Sequence, residues 1–152
     1  MKILTTLICL IGLTFSTIAQ DKSEQLYEAV TKNNKDKVEN LITKGADVNY
    51  VKEAGPWMKV SVLITAVNNQ NIDIAKLLLD NKADVNWKDG FKTSAILYAA
   101  NTGSIEMVKL LLEKGADIND NDGQGNTVLT SAKESKNEAL IAFVKEKLKE
   151  KE

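Results

Sequence analysis

Three five-residue segments of the chain nearly coincide: Gly45-Ala46-Asp47-Val48-Asn49, Lys82-Ala83-Asp84-Val85-Asn86 and Gly115-Ala116-Asp117-Ile118-Asn119. The second and third stand 33 positions apart, and the first and second stand 37 apart, the same period with four extra residues. Each follows an apolar run: Leu41-Ile42, Leu77-Leu78-Leu79 and Leu110-Leu111-Leu112. A second register agrees, because Ser61, Ser94 and Thr127 recur every 33 positions and lead into Ala66-Val67, Ala99-Ala100 and Ser131-Ala132. A period of this size constrains the fold more tightly than composition does. Each period is one small unit that cannot bury its apolar face alone, so the units must stack on their neighbours.

Within a period, the residues predict two helices and a turn. Ser61, Ser94 and Thr127 can cap a first short helix through their hydroxyls. The small residues that follow suit a face packed closely on a neighbour. Asn68-Asn69-Gln70-Asn71 and Asn101-Thr102-Gly103-Ser104 break that helix and start a second. Ile72, Ile74, Leu77 and Leu78 then recur at helical spacing, as do Ile105, Met107, Val108, Leu111 and Leu112. Gly45 and Gly115 fall where a helix end takes positive φ, and Lys82 stands in their place in the middle copy. Asp89-Gly90 and Asp122-Gly123-Gln124-Gly125 are turn sequences for an outward hairpin.

The period, the Gly-Ala-Asp-Val-Asn segments, Ala99-Ala100, Gly103 and the run Ile105 to Leu112 together resemble the ankyrin repeat. The resemblance covers roughly residues 22–148, with its best copy from Ser94 to Asn119. It implies an all-α, helix-turn-helix solenoid of about four repeats with β-hairpin or turn connections. The units are residues 24–60, 61–93, 94–126 and 127–149, within a domain spanning 20–152. The end units depart from the inner ones, as terminal repeats do. Lys35 and Lys37 stand where inner copies have Ile72 and Ile74, and the chain closes on an alternating Lys/Glu run from Lys145. The Thr-Pro-Leu-His that usually opens each first helix is absent from all four units. With no His, the hydrogen-bond network that ties hairpins together in typical members is lost, and Ile64 and Leu97 offset it by packing.

Composition narrows the chemistry. All 20 basic residues are Lys, there is no His, and the one Cys is Cys9. Without His there is no His-based triad, proton shuttle or His metal ligand. Without Arg there is no bidentate fork for phosphate or guanine. Against 21 acidic residues the formal net charge is -1, too small to draw in nucleic acid. The paired carboxylates Asp84/Asp89 and Asp120/Asp122 occupy turn positions. The oxygen-rich run from Asp117 lacks the later Glu of a calcium loop, since Val128 holds that place. No enzyme, cofactor or metal site is expected.

Residues 1–19 have the pattern of a secretory signal peptide. Lys2 supplies the positive end, Ile3 to Phe15 form an uncharged apolar stretch of 13 residues, and Thr17 and Ala19 precede a cleavage point before Gln20. That stretch is shorter than the ~20 apolar residues of a membrane-spanning helix. The expectation is a periplasmic or secreted protein, free of the membrane after cleavage and without cysteine.

In the resembling family the concave face of hairpin tips and first helices usually binds another protein. Carried over position by position, the expected protein-binding residues on the hairpins are Tyr50, Trp87, Lys88, Phe91, Thr93, Gln124 and Asn126, and the insertion adds Trp57 and Met58. On the first helices they are Asn68, Asn69, Asn101 and Thr102. The four-residue insertion lies within 50–60 and carries the only Pro and one of the two Trp. Trp, Tyr and Met are enriched in interface anchors, but the two Trp could equally pack on each other or on neighbouring hairpin stems. The expected function is binding of a protein partner, as a monomer or weak homodimer. The alternative is self-association through the same tips with no foreign partner.

Overall fold

The computed structural model describes residues 21–150, and the signal-peptide expectation for 1–19 lies outside them. First and second helices alternate along the chain, the first being the shorter of the pair in every unit but the first. They are α1 (21–31), α2 (Lys35–Thr43), α3 (Val62–Asn68), α4 (Ile72–Asp80), α5 (Ala95–Asn101), α6 (Ile105–Glu113), α7 (Val128–Glu134) and α8 (Glu138–Lys149). Four helix pairs result, one per expected unit. The first begins ahead of Glu24, with Gln25 Nε2 donating to Asp21 Oδ2 at 3.1 Å across one turn.

Capping explains where the second helices start. Asn34, Asn71, Ser104 and Asn137 each accept a backbone N–H three residues on, from Lys37, Ile74, Met107 and Leu140. The residue before each cap is left-handed: Asn33, Gln70, Gly103 and Lys136, with φ of 54°, 55°, 77° and 58°. These four positions turn the chain back on itself within each unit.

The other ends of the second helices close alike. The N–H of Ala46, Ala83 and Ala116 donates to the carbonyl of Leu41, Leu78 and Leu111 at 3.0, 3.0 and 2.9 Å. Such 6→1 bonds require the preceding residue to be left-handed. Gly45 and Gly115 meet that need at φ 83° and 94°, and Lys82 adopts φ 73° at the same place.

The first-helix caps differ among themselves. Ser61 accepts from the Ile64 N–H, and Thr127 forms a reciprocal capping box with Thr130. Ser94 makes no side-chain cap bond, and its hydroxyl is buried without a partner. The two serines therefore respond oppositely to substitution. Ser61→Ala is expected to cost about 1 kcal/mol. Ser94→Ala is expected to be neutral, or stabilising by up to about 1 kcal/mol, because it removes a desolvated group that makes no bond. Denaturant midpoints of the two variants check this.

The core runs the length of the array. Leu26 and Val30, Leu63 and Val67, Ile96 and Ala100, and Val128 and Ala132 come from the first helices. Val38, Ile74 with Leu78, Met107 with Leu111, and Leu140 with Val144 come from the second. Ile64 and Leu97 are fully buried, so packing does stand where the absent histidines would have bonded. The neighbouring first helices α3, α5 and α7 touch one another more closely than do α4, α6 and α8. Small residues at Ala66, Ala99 and Ala132 allow this approach.

Candidate functional site

Hairpins project from the first-helix side between successive units. The first is β1 (Val51–Glu53) paired antiparallel with β2 (Lys59–Ser61), in register Val51 to Ser61. The next two are shorter and keep the same anchor, with single bridges from Lys88 to Ser94 and from Asn121 to Thr127. The four extra residues of the first unit therefore lengthen a hairpin without disturbing the helices. The Asp-x-Asn segments below the hairpins lock the row together. Asn49 accepts the Asp84 N–H at 2.7 Å, and Asn86 donates to the Gly115 carbonyl at 3.2 Å.

A buried aspartate shapes each shorter tip. Asp89 accepts the N–H of Phe91 at 2.9 Å and of Thr93 at 2.8 Å, and its other oxygen accepts from the Tyr98 hydroxyl at 2.7 Å. Burial first, and then this bond to Asp89, push the Tyr98 phenol above the ordinary tyrosine range. Tyr98 thus ties helix α5 to the loop that carries Phe91. In the next tip Asp122 accepts from the N–H of Gln124 and Asn126 and from Asn126 Nδ2, at 2.8, 3.1 and 2.6 Å. These bonds, with the Gln124 N–H foremost, hold the Asp122 carboxyl below its usual range.

The lengthened hairpin leans on its neighbour at Gly90. A Cβ added to Gly90 would lie 2.2 Å from the Trp57 carbonyl oxygen, so only glycine admits this approach. Trp57, Met58 and Phe91 are the exposed large apolar side chains among the described residues, at 68, 59 and 57%. A cleft of about 450 Å³ runs past Trp57, Gly90, Phe91 and Lys92 to Gly123 and Gln124. Asp122 also borders a second, inner cleft of about 250 Å³, lined by Thr93, Leu97, Tyr98, Asn101, Asn126 and Glu134. Tip and first-helix surfaces are therefore continuous.

The structure sorts the expected binding residues into groups. Trp57, Phe91 and Gln124 border the tip cleft, with the exposed Met58 next to Trp57 in the chain, while Thr93, Asn101 and Asn126 line the inner cleft. Asn68 and Thr102 are exposed on the first helices, with the Thr102 hydroxyl donating to the Ala99 carbonyl. Others are engaged within the chain. Tyr50 is half-buried, its ring 6.5 Å from that of Tyr27. Trp87 is half-buried against the core. Lys88 pairs with Asp120 and donates to the Asn121 carbonyl. Asn69 donates to the Val30 carbonyl at 3.1 Å and to Asn33. Tyr98 and Lys92 join the surface without having been placed among the expected binding residues, and the buried Leu97 lines the inner cleft.

A family model described as ankyrin repeats, in three copies, matches residues 26–122 and, in a second frame, residues 63–151. The chain belongs to the ankyrin-repeat family. Two overlapping matches to a three-copy model, displaced by roughly one period, are what four stacked ankyrin units give. No curated protein matches the chain. Ankyrin repeats are in general protein–protein interaction modules and typically non-catalytic. Among the described residues no group of His, Cys, Asp or Glu could hold a metal ion. No described helix is long and apolar enough to cross a membrane.

Proposed function

We propose that this ankyrin-repeat chain is exported, and that outside the cytoplasm it binds one partner protein without catalysis. Binding runs from the hairpin tips into the inner cleft. The observation that carries this reading is that the exposed Trp57 and Phe91 border one cleft between two hairpin tips, with the exposed Met58 next to Trp57 in the chain. Exposed apolar groups scattered singly need no explanation, whereas a contiguous cluster marks an interaction site. Trp is among the residues that most often dominate binding energy. A partner in the periplasm or the surrounding medium fits, including an envelope or secreted enzyme whose activity or stability it modulates.

Capture tests the reading. The C-terminally tagged chain is expressed in its source cell, lightly crosslinked and recovered beside a Trp57→Ala/Phe91→Ala variant of equal stability. A partner held by the wild type and lost by the variant supports the tip site. Equal retention moves the site elsewhere on the solenoid, and recovery of the chain alone favours self-association. Export has its own check. Protein recovered from outside the cytoplasm is expected to have the intact mass of residues 20–152. A chain still carrying residue 1 and confined to the cytosol would overturn that part.

A further inference from the structure

Four lysines stand along the hairpin row: Lys52, Lys59, Lys88 and Lys92. Three are neutralised within the chain. Lys52 pairs with Glu24, Lys59 with Glu53 at 2.6 Å, and Lys88 with Asp120. Lys92 has no carboxylate partner among the described residues, and it stands exposed beside Phe91 on the rim of the tip cleft. The acid that lines the same cleft, Asp122, is buried, and both its oxygens are occupied by the Gln124 and Asn126 donors. The Gln124 side chain, exposed in the lining of the same cleft, makes no hydrogen bond among the described residues. The cleft thus offers two aromatic side chains, one cation without an ion-pair partner among the described residues, and one exposed amide. Its volume of about 450 Å³ lies within the range of ~300–1,000 Å³ usual for ligand pockets.

We infer that the tip cleft takes an extended, acidic-apolar segment of the partner. One apolar side chain of that segment lodges between Trp57 and Phe91, and a carboxylate within two residues of it pairs with Lys92. Gln124 meets the segment's backbone. The inference rests on the tips being the binding surface. A carboxylate is the ligand that Lys92 lacks within its own chain, and the aromatic walls exclude water from the pair and strengthen it. A basic segment would meet like charge at Lys92, and a wholly apolar one would leave the ammonium desolvated without a counter-charge.

The test is selection from a displayed library of random 12-residue peptides on the immobilised full-length chain. The Lys92→Gln, Lys92→Glu and Trp57→Ala/Phe91→Ala variants run in parallel, each checked for unchanged helicity. The expected result is enrichment of sequences with an aliphatic or aromatic residue within two positions of Asp or Glu. Their affinity should fall at least tenfold on Lys92→Gln, and Lys92→Glu should shift the selection towards Lys and Arg. Peptides that need Trp57 and Phe91 but carry no acid, and ignore Lys92→Gln, would overturn the proposed chemistry and leave the tip surface standing. Peptides that bind the aromatic double variant equally well would overturn both. A library that enriches nothing would overturn recognition of a linear segment, while partner capture would still decide the tip surface.

Discussion

Replacing Trp57 and Phe91 together by alanine is expected to weaken partner binding at least about 100-fold and to leave the thermal midpoint unchanged. The two halves of this prediction come from one observation. Both side chains are more than half exposed, so the folded monomer loses little on truncation. Surface substitutions away from structural features usually stay within about ±0.5 kcal/mol. In the proposed complex the same side chains become buried anchors. Truncating such an anchor costs about 2 kcal/mol or more, and each 1.4 kcal/mol is about tenfold in affinity. Two anchors in one cleft are not additive, which is why the prediction stops near 100-fold. Titration calorimetry with the captured partner gives the affinity, and calorimetric unfolding gives the midpoint. A variant that binds weakly and also melts early would show that the tips serve the fold.

Leu111→Ala is expected to destabilise the chain by about 2–5 kcal/mol. Leu111 lies on α6 in the third unit and is completely buried. Its removal leaves a cavity at the centre of a stack whose units contact only their neighbours. The loss should lower the thermal midpoint by on the order of 10 °C for a domain of this size. Val144→Ala, on α8 in the fourth unit, removes less buried area, and among the described residues that unit has a neighbour on one side alone. It should cost less and fray that end first. Hydrogen exchange separates the cases. Leu111→Ala should raise exchange in both flanking units, and Val144→Ala chiefly in the last.

The repeat register was legible in the sequence because it is written in residues with a single physical task. The Asp of each Asp-x-Asn segment accepts the N–H two residues on, and Asn49 and Asn86 reach the next unit. A motif that must satisfy two backbones at once cannot drift, so its spacing reveals the unit length. The lengthened hairpin was legible for the same reason, as four residues too many between two fixed anchors. What the sequence did not separate was Trp57 from Trp87. Both are tryptophans in hairpins, yet Trp87 lies low enough to pack on the core, whereas Trp57 rides at a tip. That difference follows from where the longer hairpin leans, and the contact at Gly90 that sets it lies 33 residues away. Lys92 was hidden by the same kind of fact. A lysine becomes notable only once its three neighbours in the row are seen to be paired.

The central claim is that the hairpin tips meet the partner. Photo-crosslinking from single positions in the source cell tests it most directly. A photoreactive amino acid is placed at position 57 in one strain and at position 109 in another. Lys109 lies on α6 beside Phe143, on the side of the second helices. The account predicts one dominant adduct with a different protein from position 57 and none from position 109. An adduct from position 109 alone, or only adducts of the chain with itself, would contradict it.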